Sequence, residues 1–152
     1  MEIEILTHGK RKELLSKLAG FYATQLNIQK SNYKVVIVTD PTLKSQGSLG
    51  ICARTGEREI TVGLYSYLSF GRILYTLAHE MVHVKQMVRG HYRQEPKKRS
   101  EGVHHYWLGK RVNKTYIKRP WEIEAIGRED ELVESLSQFL TKQKKKLGKK
   151  KA

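Results

Sequence analysis

The residues Thr76-Leu77-Ala78-His79-Glu80-Met81-Val82-His83-Val84-Lys85-Gln86 decide how this chain is read. They lie in an apolar stretch, with Ile73, Leu74, Met87 and Val88, that opens at Ser69 and stops at Gly90. A serine able to cap a first turn and a glycine able to end a last one bracket a helix reaching about Arg89. Its apolar residues surround it on several sides, so it is expected to be buried. Within it, His79 and His83 are four apart and share one face, so both imidazoles can reach one metal ion from consecutive turns. Glu80 is rotated by about 100° from His79, which turns its carboxylate toward a water beside the metal instead of the metal itself. Two imidazoles and a carboxylate among apolar neighbours are costly to bury without a partner, and a metal ion supplies one. With six His and 13 Glu, a shuffled chain would hold about 0.02 such patterns, so chance is a poor explanation.

Outward from that helix, periodicity predicts the remaining elements. Glu2 to Leu6 alternates as a short strand. Leu14, Leu15, Leu18, Phe21, Tyr22 and Leu26 recur at helical spacing from about Lys10. Tyr33 to Thr39 is β-branched and apolar and stops at Asp40-Pro41, which reads as a buried strand. Ser48–Arg54 and Arg58–Leu64 read as a hairpin around Thr55-Gly56-Glu57, with the glycine at a positive φ. Residues 91–102 read as a polar, basic loop. Val103–Leu108 and Arg111–Ile117, split by Gly109-Lys110, read as a second hairpin. Pro120 opens a final helix to about Thr141, with Ile123, Ile126, Leu132, Val133, Leu136, Phe139 and Leu140 as its apolar stripe. The order predicts one α+β domain over residues 1–141, a small mixed sheet with two flanking helices and a third at the C-terminal end. Residues 142–152 read as a disordered lysine-rich tail.

Composition narrows the classes. The chain has 152 residues and a formal charge of +14; no apolar run approaches a membrane span. The start Met1-Glu2-Ile3-Glu4 lacks a secretion pattern, and Cys52 is the single cysteine. No disulfide framework or multi-cysteine ribbon can form, and a soluble, cytoplasmic setting is expected. Lys142, Lys144, Lys145, Lys146 and Lys149–Lys151 carry half of the net charge with no acid among them. Together with Arg93, Lys97, Lys98 and Arg99 they are candidate contacts to DNA or RNA, because clustered lysines release counterions from phosphates. A solvated tail is the plainer alternative. No membrane partner is expected.

A catalytic zinc site takes three protein ligands and leaves a fourth position for water. The candidates for the third are the acids of Arg119-Pro120-Trp121-Glu122-Ile123-Glu124-Ala125 and the pair His104-His105. HEMVHVKQ followed at a distance by RPWEIEA resembles small zinc metallopeptidases of the zincin type, in particular compact SprT-like members encoded by phages and bacteria. The resemblance spans roughly residues 48–133, and its firm part is the two short motifs. It implies a glutamate ligand in a pattern Glu-x-x-Ala on a later helix, which falls on Glu122, three residues before Ala125. Position agrees, since Glu122 lies in the first turn after Pro120, where the helix dipole favours a carboxylate. Glu124 lies about 200° around the helix, so only one of the two can face the site. Glu124, His104 and His105 stay open as alternatives, the histidines because SprT-like proteins usually use a third one. Where related glutamate-ligand enzymes continue with an aspartate, this chain has Ile126. A ligand histidine must then be oriented from elsewhere, with Gln86 a candidate.

These readings give an expected function. A bound zinc would activate water, Glu80 would act as general base and then protonate the departing amine, and a peptide bond would be hydrolysed. Tyr106, Tyr116, His104 and His105 are candidate oxyanion donors. The resemblance implies that the strand before the metal helix lines the cleft, so Glu59-Ile60-Thr61-Val62 would pair with an extended peptide or act as an ordinary sheet strand. His8 and His91 read as exposed, and Trp107 and Trp121 as core anchors. The competing class is a basic nucleic-acid-binding protein with a structural metal; a protease acting near nucleic acid would combine the two. A phage assembly factor rests on the resemblance alone.

Overall fold

The computed structural model describes residues 1–7, 9–113 and 119–151, with the side chains of 150 and 151 left aside. The described chain is α+β, with three helices and two sheets. β1 (Glu2–Leu6), β2 (Lys34–Asp40), β3 (Gly50–Gly56) and β4 (Glu59–Tyr65) form a four-stranded mixed sheet in the order β1-β2-β4-β3. β1 and β4 both run parallel to β2, and β3 is antiparallel to β4. Parallel neighbours need a crossover, and α1 (Lys10–Gln25) supplies the one from β1 to β2. The run Val35-Val36-Ile37 is buried throughout, as expected for a strand flanked on both edges and covered by helices.

α2 (Phe70–Val88) starts where the sequence places it, with the Ser69 hydroxyl accepting from the Arg72 N–H at 3.4 Å. It ends at Arg89 and Gly90, the glycine at φ 70°. Leu77, Ala78, Met81, Val82 and Val84 are buried against Leu15, Leu18 and Tyr22 of α1 and Ile60, Val62 and Leu64 of β4. The Tyr22 hydroxyl donates to Leu74 O at 2.9 Å, and Arg11 reaches Ser66 O and Leu68 O at 2.9 and 2.8 Å. Both contacts tie α1 to the start of α2. No helix among the described residues is long and apolar enough to cross a membrane.

Several expectations change. Residues 91–102 are not wholly loop: β5 (Tyr92–Pro96) pairs with β6 (Val103–Trp107), which pairs with β7 (Lys110–Val112) in a second, antiparallel sheet. Tyr92 is buried while Arg93 and Gln94 are exposed, so the strand has too little apolar alternation to announce itself. Of the expected strand Arg111–Ile117, residues 114–118, with Tyr116, lie outside the described residues, as does His8. Gly56 has no positive φ; the turn falls on residues 57–58, and Gly56 closes β3 at a register shift after Arg54. The Arg54 guanidinium donates to the carbonyls of Gly56 and Glu57 and braces that turn. β4 is interior, paired on both sides, so Glu59–Val62 cannot accept a further strand; the edges are β1 and β3.

α3 (Pro120–Lys151) begins at the expected proline and continues through the lysines expected to be a disordered tail. Lysine, glutamine and leucine are good helix formers, and extending an existing helix avoids the cost of nucleation. Ala125, Leu132 and Leu136 join the core, whereas Ile123 and Ile126, expected in the apolar stripe, are exposed, as are Phe139, Leu140 and Leu147. Packing therefore holds α3 as far as Leu136 and the Phe139 ring, which meets Phe21 of α1. Leu132→Ala should cost about 2–5 kcal/mol by chemical denaturation, and Leu147→Ala less than about 0.5 kcal/mol. Equal losses would show that the far half of α3 is packed as well.

Candidate metal centre

α2 carries His79 and His83 on one face, their Nε2 atoms 3.2 Å apart. Glu122, in the first turn of α3, reaches both: Oε2 is 3.0 Å from His79 Nε2 and Oε1 is 3.0 Å from His83 Nε2. One ligand atom from each residue lies within 4.8 Å of the others. Tetrahedral coordination with bonds of about 2.0–2.1 Å sets neighbouring ligand atoms about 3.3 Å apart. The spacing and the two-imidazole, one-carboxylate donor set both suit a divalent cation.

The far side of each ring gives a second reason. His79 Nδ1 lies 2.6 Å from Glu129 Oε1, and His83 Nδ1 lies 2.8 Å from Gln86 Oε1. Gln86 is fully buried, and its amide nitrogen donates to Trp121 O at 2.9 Å and Glu124 Oε1 at 3.1 Å. Its nitrogen thus engaged, Gln86 presents only an acceptor to His83, so the His83 Nδ1 carries the proton. The same logic holds for His79 against the Glu129 carboxylate. With Nδ1 holding its proton, each ring turns Nε2 to the shared point, and loss of the Nε2 proton leaves the tautomer a metal requires.

Glu124 faces elsewhere, bound to the buried Lys85 at 2.8 Å and to Gln86, so the acid of α3 in the group is Glu122. His104 does not line this cleft; it lines a neighbouring depression with His105, Lys97 and Arg111. His105 lines the metal cleft, stacked on Tyr92 and Trp121 at centroid distances of 5.9 and 5.2 Å. Its Nδ1 is 2.7 Å from the Tyr92 hydroxyl, which accepts from Gln94 Nε2 at 2.7 Å. Tyr106 instead packs under the Arg93 guanidinium, 4.4 Å from its ring centre. Trp121 is buried as expected; Trp107 is half-buried beside His91, itself half-buried. Lys97, Lys98 and Arg99 lie just after β5, and Lys144, Lys145 and Lys146 along distal α3; neither group lines the cleft.

The cleft encloses about 340 Å³ between β3, the small sheet and the start of α3. Glu80 lines it and is only 5% exposed. Opposite stands Gly50 of β3, where a Cβ would come within 2.8 Å of Glu80 Oε1 and 2.9 Å of Thr76 Cγ2. Only glycine lets the strand approach so closely. Sequence reasoning missed Glu129, Tyr92, Gln94 and Gly50. The seven-residue spacing from Glu122 to Glu129, two turns along one face, was the available signal; Tyr92 and Gln94 had none once their strand read as loop.

The electrostatics follow from crowding. Burial raises the Glu80 pKa to about 7, although His83 and His79 pull it back. Burial would lower His79, but its hydrogen bonds to Glu122 and Glu129 outweigh this and raise it to about 9. His83 is raised for the same kind of reason, through Glu122 and Gln86. Glu122, bonded to both imidazoles, is held well below the ordinary carboxylate range.

Comparison with protein-family models, with curated proteins and with solved structures found no match. The site rests on its own geometry.

Two outcomes follow. The metal-free site retains a proton on His79 below about pH 9, and a ligand histidine must give it up. Apparent zinc affinity should therefore rise with pH toward that value, with protons released on binding; competition against a chromophoric chelator at several pH values measures it. Glu129→Gln should weaken zinc binding by about 10–100-fold in the same assay, and an unchanged affinity would remove Glu129 from the site.

Proposed function

We propose that this chain is a zinc-dependent metallopeptidase of the zincin type, resembling SprT-like proteins, with His79, His83 and Glu122 as ligands and Glu80 as general base. The carrying observation is the convergence of three ligand atoms beside a buried carboxylate in one open cleft. A zinc ion bound there supplies Lewis acidity, lowering the pKa of a water and polarising a carbonyl.

The chain's own groups do the rest. Glu80, a buried carboxylate lining the cleft, takes a proton from the attacking water and delivers it to the leaving amide nitrogen. Gly50 fixes the space in which that carboxylate moves. Tyr92 and His105 share a hydrogen bond in the cleft wall, which leaves one of the two a proton to donate to a developing oxyanion. β3 is the sheet edge along the cleft, and its backbone suits pairing with an extended peptide.

The alternative, a basic nucleic-acid-binding protein with a structural metal, draws no support from this geometry. Structural zinc sites are closed by four protein ligands, and three gather here among the described residues.

Glu80→Gln should keep zinc at one equivalent by elemental analysis and lower casein hydrolysis by about 10²–10⁴-fold. Unchanged turnover with metal retained would sink Glu80 as base.

A further inference from the structure

Away from the cleft beside His79 and His83, another concavity among the described residues has a different chemistry. It is a groove of about 860 Å³ between α1 and α3, floored at one end by α2. Leu14, Leu18 and Phe21 form one wall, Leu136 and Leu140 the other, and Leu74 the floor. Phe21 and Phe139 meet across it at 5.2 Å between ring centres. Phe139 is 44% exposed and Leu140 47% exposed, so apolar surface that packing would ordinarily cover faces outward.

The charge around the groove is chiefly basic, with Lys17 paired to Glu13 at 3.2 Å. No acidic side chain lines it, and Lys17 does. After Glu134, α3 carries seven lysines and no acid. Lys144 and Leu147 follow Leu140 at spacings of four and seven, so they continue its face beyond the groove. Lys10 stands at the other end, beside Leu14 and Phe70.

We propose that this groove is a docking site for an acidic amphipathic helix of a partner protein. A concave, apolar channel between two helices fits a third helix laid along it, read by anchors three and four residues apart. The basic flanks select a partner whose exposed face is acidic and would speed its encounter. The same features disfavour other occupants. A second copy would bring +14 against +14, lysines facing lysines. A bilayer engages apolar residues that protrude, whereas these line a hollow. A phosphate backbone gains nothing from hydrocarbon walls. The inference is independent of the proposed peptidase activity.

The probe is a fluorescein-labelled synthetic peptide of about 20 residues, long enough for a stable helix against a groove, with leucines at helical spacing and glutamates elsewhere. Anisotropy with the full chain should show saturable binding that weakens with salt, while a scrambled peptide of identical composition should not bind. Leu140→Glu should weaken binding about tenfold or more, the loss of one apolar anchor, and Leu147→Glu, further from the core, should weaken it less. Lys17→Glu combined with Lys144→Glu should also weaken it and flatten the salt dependence; circular dichroism melts check that each variant folds. The proposal is overturned if the scrambled peptide binds equally or if Leu140→Glu binds like the parent. It is overturned equally if Leu140→Glu abolishes self-association seen by light scattering, binding to phosphatidylglycerol vesicles or binding to duplex DNA while peptide binding is absent.

Discussion

The bridge made by one carboxylate between two imidazoles is what the molecule is arranged to hold. Glu122 sits 3.0 Å from the Nε2 of both His79 and His83, a tolerance of tenths of an ångström between helices far apart in sequence. α2 cannot move freely, because its apolar faces are buried against α1 and the sheet. α3 is pinned to α2 by Gln86, which holds Trp121 O and Glu124, and by Lys85, which pairs with Glu124. A buried lysine–carboxylate pair contributes little net stability once desolvation is counted. Its geometry is better understood as fixing the rotation of α3, and rotation decides which acid faces the histidines.

That dependence explains what was legible in the sequence. The histidines and Glu80 were readable because four-residue spacing on one helix fixes their relation without reference to anything else. Glu122 was singled out by the Glu-x-x-Ala pattern that the resemblance implies, supported by its place in the first turn after Pro120. Glu129 was not, since its contact with His79 depends on how α3 lies across α2 two turns further on. β5 escaped because a strand with a buried Tyr92 and exposed Arg93 and Gln94 looks like loop. The interior place of β4 escaped too, because its pairing with β2 is non-local, and this moved the edge available for pairing to β3. The extent of α3 was missed because charge density was read as disorder, while intrinsic propensity favoured helix.

The two halves of α3 serve opposite chemistries. Its first turns carry acids that organise imidazoles, a lysine and an amide into a closed polar network. Its later turns carry no acid at all, and Phe139 and Leu140 turn toward α1, the phenylalanine meeting Phe21. One continuous helix thus joins a polar site built to fix geometry with an apolar surface left uncovered.

The order of residues along the chain has a consequence for how the protein comes into being. His79 emerges from the ribosome 50 residues before Glu129, its brace, and Gln86 emerges 35 residues before Trp121, whose carbonyl orients it. Until α3 has been synthesised and has docked, the histidines lack their carboxylates and Glu80 lacks its enclosure. The three groups that could hold a metal ion therefore come together only once the domain is complete.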